Sequence, residues 1–178
     1  MGPLVTRAHR DRVAGYIDAG VQEGAVLAAD GRGLVVPGHE HGFFLGPTLF
    51  DRVSASMSIY TDEIFGPVLV VLRAETLEEA IDLINRNPYG NGAALFTESG
   101  AAARTFEEEV RVGMIGINVP IPVPMAFFSF GGWKQSLFGD LHVYGPEGIK
   151  FYTRTKAVTA RWPRGHRVEG GLHMPTLG

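Results

Sequence analysis

Cysteine is absent from all 178 residues. That absence excludes disulfides, zinc–thiolate centres and any thiol nucleophile supplied by the chain itself. Long apolar runs are missing too, and none approaches the ~20 residues that span a bilayer. The first twelve residues hold Arg7, Arg10, Asp11 and Arg12 but no apolar core of a secretory leader, so a cytoplasmic location is expected. A large excess of either charge sign is also lacking. The formal net charge is -3, which predicts no nucleic-acid partner and no anionic-membrane partner. No Gly-x-Gly-x-x-Gly follows a strand pattern and no Gly-x-x-x-x-Gly-Lys-[Ser/Thr] occurs, so the chain brings no phosphate cradle of its own. Nor is there a Gly-x-Ser-x-Gly to serve a serine hydrolase.

What is present fits a globular domain, with 45% hydrophobic and 20% charged residues on a chain long enough for a real core. Thr6 is placed to cap a helix from about Arg7 to Glu23, with Val13, Ile17 and Val21 at helical spacing and Gly24 as a stop. Residues 30–42 are turn-rich. Gly42 to Phe50 reads as a strand interrupted by Gly46-Pro47. Val68 to Leu72 is a continuous apolar run, expected for a strand buried on both faces. Thr76-Leu77-Glu78-Glu79 forms a capping box, and Ala80, Ile81 and Ile84 give the following helix an apolar face to about Asn87. Ala93 to Phe96 is the next strand, Ser99 opens a helix through Val110, and Val112 to Val119 closes the series. This alternation predicts an α/β fold, a parallel sheet with flanking helices. From Ile149 to Thr159 apolar and charged residues alternate, which predicts one long two-faced strand. The tail after Pro163 is rich in glycine and charge and reads as loose.

The run from Gly113 to Asp140 is the most distinctive. Pro120, Pro122 and Pro124 force an extended, stiff segment, and Gly131-Gly132 then allows a backbone path closed to other residues. A rigid apolar arm before a permissive turn reads as the wall of a binding site. The Asn-Val-Pro-Ile-Pro-Val-Pro segment at 118–124 and Ser129-Phe130-Gly131-Gly132 resemble the aldehyde dehydrogenase superfamily, in its CoA-acylating methylmalonate-semialdehyde branch. The resemblance covers Gly2 to about Trp162. It includes Gly2-Pro3-Leu4-Val5-Thr6, Gly42 to Phe50, and Tyr144-Gly145-Pro146-Glu147-Gly148-Ile149-Lys150-Phe151-Tyr152-Thr153, which resembles the stretch leading into the family's oligomerisation strand.

The resemblance implies a partial catalytic domain over residues 1–142, an oligomerisation strand region over 143–162 and a C-terminal tail over 163–178. It also implies oxidation of malonate or methylmalonate semialdehyde through a cysteine thiohemiacetal, with NAD as hydride acceptor and coenzyme A as co-substrate. The cysteine, the general-base glutamate, the oxyanion-hole asparagine and the dinucleotide-binding domain all belong to stretches outside this chain. No catalytic residue is therefore assigned here, and the chain alone is expected to be inactive. Two residues are assigned to the cofactor. In Glu63-Ile64-Phe65-Gly66-Pro67, the Gly-Pro pair sets a turn into the Val68 strand, and a carboxylate beside it can accept hydrogen bonds from a ribose diol. The resemblance implies that Glu63 holds the nicotinamide ribose and Phe65 packs beside the nicotinamide. Expected partners are a small aldehyde, further copies of the chain, or an upstream half of the enzyme. Two other readings stay open: a non-catalytic oligomerisation or regulatory module, and one half of a split enzyme.

Other constellations are weaker. His39-Glu40-His41 places two histidines two apart, but in a Gly-bounded loop without a third ligand nearby, so no metal site is assigned. Glu107-Glu108-Glu109 reads as a solvated helix face. Phe127-Phe128 and Trp133 read as core or wall.

Overall fold

The computed structural model describes residues 1–162. Residues 163–178, expected as a loose tail, lie outside the described part. In chain order the elements are α1 (Arg7–Gln22), β1 (Val26–Ala29), β2 (Thr48–Asp51), α2 (Ser58–Thr61), β3 (Val68–Val70), α3 (Leu77–Arg86), β4 (Tyr89–Gly90), β5 (Gly92–Leu95), α4 (Gly100–Glu109), β6 (Met114–Ile117), β7 (Trp133–Lys134) and α5 (Gly145–Tyr152).

The helix starts follow from capping chemistry. Thr6, Thr76 and Ser99 each accept a hydrogen bond from the backbone N–H three residues on, at His9, Glu79 and Ala102. The Glu79 carboxylate reaches back to the N–H of Glu75, one residue beyond the usual partner of a capping box. Gly24, with φ of 96°, ends α1 in the left-handed conformation that glycine adopts without penalty.

The expected parallel sheet is present as separate pieces. β2 and β3 are parallel, and β5 and β6 are parallel, each pair joined across a helix-bearing connection. β1 adds antiparallel to β2, and the two-residue β4 and β7 pair antiparallel. Among the described residues no ladder joins β3 to β5. Two apolar clusters match this division. The first gathers Val13 and Ile17 of α1, Phe50 of β2, Ile59 of α2 and Ile64. The second gathers Ile81 of α3, Phe106 and Val110 around α4, and Val112. Burial of each such side chain is worth about 1.5–3 kcal/mol.

Three expectations need correction. The strand expected over Gly42 to Phe50 forms only from Thr48, because Gly46 accommodates a close approach of the Gly31 backbone and donates its N–H to Gly31 O. β3 is covered on one face only: Leu69 points away from the cluster and is 64% exposed. The strand expected from Ile149 to Thr159 begins instead as helix α5 through Tyr152. Gly145 (φ 61°) turns the chain, Pro146 sits in the first helical turn, Glu147 complements the dipole there, and the Thr153 hydroxyl donates to Ile149 O at 2.7 Å. Residues 153–162 follow exposed and unpaired among the described residues.

Candidate functional site

The loop carrying Glu63 and Phe65 joins α2 to β3, at the amino end of that strand. Ligands of open α/β sheets gather at carboxyl ends. That general rule therefore does not place a ligand here, and the local geometry must carry the assignment.

The loop is held from several sides. Ile64 is buried in the first cluster. Arg12 donates to Ile64 O at 3.4 Å. The Tyr16 hydroxyl donates to Asp62 at 2.9 Å, and this bond to a carboxylate raises the Tyr16 pKa. Gly66 lies flat on α1: a Cβ there would come within 2.7 Å of both Val13 methyl carbons. Pro67 O accepts from Thr48 N at 2.8 Å, and Thr48, itself buried, accepts from Gly31 N.

This anchoring leaves the two flanking residues free. Glu63 is exposed. Phe65 is 73% exposed and takes φ of 56°, a left-handed conformation that costs a bulky residue energy. The loop is thus anchored at Ile64 and Gly66 and strained at Phe65, whose ring faces outward. The ring also forms one wall of a cleft of about 450 Å³ against Met1, Pro3, Leu4, Leu45 and Pro67. The His9 ring stands 6.4 Å away at a tilt.

The proline arm forms a second surface. At the end of β6, Asn118 (φ 57°) turns the chain. Pro122 then lies against Gly92 of β5 and Gly116 of β6, where added Cβ atoms would meet it at 3.2 and 3.3 Å. Between arm and strands is a cleft of about 250 Å³. Ile121, Met125, Phe127 and Phe128 are exposed, so of the two roles expected for the phenylalanines, core or wall, the core is excluded. Trp133 is half exposed on β7.

A cleft of about 1010 Å³ lies elsewhere, between α3 and α4. The glutamates at 107–109 line it together with Glu78, Glu79 and Asp82, over an apolar floor of Ile115 and Ile117. At the other turn-rich stretch, Glu40 accepts from Gly38 N at 2.9 Å, so its carboxylate serves the turn rather than the flanking histidines.

Two polar centres were not legible in the sequence. Lys134 (φ 53°) sends its ammonium to the carbonyls of Ile84, Asn85 and Asn87 at the end of α3. His142 bridges Glu147 and Gly132, while the Ser129 hydroxyl donates to Tyr144 O and accepts from Glu147 N. A positive residue near a helix C-terminus is the signal for the first, but its source fifty residues downstream is not.

Comparison with known proteins agrees with this fold. The model of the aldehyde dehydrogenase family matches residues 1–158. A malonate-semialdehyde dehydrogenase of Pseudomonas aeruginosa is 63% identical over 164 residues, covering 92% of this chain and 33% of that protein. The structure of a methylmalonate-semialdehyde dehydrogenase from Oceanimonas doudoroffii superposes with a TM-score of 0.88 at 55% identity, over 92% of this chain and 33% of that one. A Mycobacterium tuberculosis aldehyde dehydrogenase complexed with NAD+ gives a TM-score of 0.75 at 36% identity, over 86% and 31%. The chain thus spans about a third of the length of the relatives it matches. With a family match over nearly all the described residues and the same fold in solved relatives, this chain belongs to the aldehyde dehydrogenase family.

Proposed function

We propose that these residues act as the C-terminal part of an NAD-dependent, CoA-acylating malonate- or methylmalonate-semialdehyde dehydrogenase. The observation that carries this is the strained, anchored loop that exposes Glu63 and Phe65 together. Glu63 fits a ribose diol, since an ionised carboxylate accepts hydrogen bonds and needs none of its own. Phe65 fits the edge or face of a nicotinamide, a flat group that packs on an aromatic ring. The bound cofactor would supply hydride acceptance, and coenzyme A would take the acyl group.

The chain's own part is placement. Ile64 and Gly66 fix the loop on the first cluster, so that Glu63 and Phe65 meet a cofactor without further ordering. The arm from Asn118 to Phe130 offers apolar side chains to the aldehyde and keeps water from it. The chain holds no cysteine, so the thiol that attacks the aldehyde must come from another stretch of polypeptide.

The test is complementation. The chain is co-expressed with the upstream two thirds of the Pseudomonas relative, and NADH formation from malonate semialdehyde and coenzyme A is followed. Activity is expected in the pair and not in this chain alone. Glu63→Gln in the active pair is expected to raise KM for NAD about 10- to 100-fold, the size of one lost hydrogen bond to a charged group. Turnover by the isolated chain, or an unchanged KM in the variant, would overturn the assignment. A stable pair without turnover would favour the reading as a non-catalytic association module, which the exposed, unpaired segment 153–162 also supports.

A further inference from the structure

The proline arm ends against α5, and the contact has an unusual polar centre. His142 Nδ1 lies 2.8 Å from Glu147 Oε2, and its Nε2 lies 3.4 Å from Gly132 O. Both partners are acceptors: a carboxylate and a backbone carbonyl. A neutral imidazole has one N–H and one bare lone pair, so it can serve only one of them. The imidazolium has two N–H donors and serves both. The backbone N–H of His142 also donates to the same Glu147 oxygen at 2.8 Å.

The surrounding packing is built for this ring. A Cβ at Gly131 would come within 2.5 Å of His142 Cδ2, so the arm's first glycine lies flat against the imidazole. Gly145, at φ 61°, brings the start of α5 equally close to the backbone of Phe128 and Ser129. The Ser129 hydroxyl ties Tyr144 O to Glu147 N, and the Phe130 and Tyr144 rings stack at 4.6 Å and 5°. Glu147 is the carboxylate against the ring, and Lys150, one turn further along α5, is the charge facing it in turn. From the arm come the Gly132 carbonyl and the Ser129 hydroxyl. His142 and Glu147 are both partly buried.

We propose that His142 is a proton-operated latch between the arm and α5, complete in the imidazolium form and opened on the Gly132 side when the ring loses a proton. The Glu147 carboxyl is held below its ordinary range, first by the His142 backbone N–H and then by the ring, so it stays ionised and keeps the shorter, charge-assisted bond. On deprotonation the remaining N–H therefore stays at Nδ1. The bare Nε2 lone pair then faces the lone pairs of Gly132 O, and the two repel. The arm's glycine end is released, while α5 keeps its hold on the histidine. The switch belongs to the chain itself and needs no cofactor, so it stands apart from the functional reading above.

Hydrogen exchange on the intact chain tests it. Exchange in the peptide spanning residues 129–136 is measured over a pH series from about 5.5 to about 8.5 and corrected for intrinsic rates. Protection is expected to fall about 2- to 10-fold at the higher pH, the effect of one ordinary hydrogen bond. His142→Gln, which cannot gain a proton, is expected to show no such step. A flat wild-type profile, or the same step in His142→Gln, would overturn the proposal. Should the variant fail to fold, 15N spectra of the wild-type ring decide. A neutral ring protonated at Nδ1 at the higher pH supports the latch, and one protonated at Nε2 refutes it.

Discussion

Asn118 and Thr97 exchange two hydrogen bonds, Thr97 N to Asn118 Oδ1 at 2.9 Å and Asn118 Nδ2 to Thr97 O at 3.0 Å. The pair closes the ends of β5 and β6, and it fixes the point where the proline arm departs. Asn118 does this at φ 57°, which asparagine tolerates better than most residues. Asn118→Ala is expected to lose both bonds and to add backbone strain, costing about 1–3 kcal/mol. Asn118→Gly should recover the strain but not the bonds, and so lie between. Denaturant unfolding of the three chains checks the order, and equal midpoints would contradict it.

Lys134 caps α3 from a distance, with its ammonium 3.1–3.2 Å from the carbonyls of Ile84, Asn85 and Asn87. Lys134→Met keeps the side-chain stem and removes the charge. Because the site is exposed, the loss is expected near 1 kcal/mol rather than the sum of three charged bonds. The lost order should be local, as faster amide exchange at Asn87 and Gln135, whose N–H groups bond to Ile84 O and Pro88 O. Unchanged exchange there would remove the capping role.

The turn at residues 30–32 sets an acid limit. Asp30 is lowered to about 2 from an ordinary value of 3.8, first by the Arg32 side chain and then by the Arg32 backbone N–H. A carboxyl whose folded pKa is depressed adds stability above its unfolded pKa and loses it as pH falls toward the folded one. Asp51, beside Arg73, and Glu147, beside His142, are shifted the same way. Stability is therefore expected to fall between about pH 4 and about pH 2. Asp30→Asn should flatten part of that slope without abolishing it. Denaturation midpoints at several pH values give the comparison, and an identical slope would rule the pair out.

The helical starts were legible in the sequence because capping is local: a threonine or serine and an N–H three residues on decide it. The loop proposed for the cofactor was chosen from Glu63 and Gly66-Pro67 and the family resemblance, but its anchoring by Arg12, Tyr16 and Val13 depends on a helix about fifty residues away. The last helix was misread because Ile149, Phe151 and Thr153 also satisfy a period of two. Gly145, Pro146 and Glu147 already carried the helical signal. β1 and β7 escaped notice because segments this short become strands only through distant partners, Phe50 for one and Gly90 for the other.

Residues 153–162 are exposed and unpaired among the described residues, with Val158 and Trp162 uncovered. Exposed backbone without ladder partners is a template for pairing. Self-association is expected at tens of micromolar, by analogy with such exposed edges. Val158→Pro should weaken it by removing a backbone donor, without disturbing α5. Light scattering that finds a stable 19.3 kDa monomer would refute the expectation.

The two apolar clusters carry a consequence for how the molecule comes apart. Phe50 and Ile17 report on one, Phe106 and Ile81 on the other. Among the described residues one hydrogen bond between them runs from the Tyr60 hydroxyl to Leu83 O at 3.4 Å. Cooperativity follows shared burial, so each cluster is expected to melt as its own unit. Heating should then yield a broad, composite transition, with a calorimetric enthalpy larger than the van't Hoff value, and an intermediate in which one half keeps its packing while the other is already open to proteases.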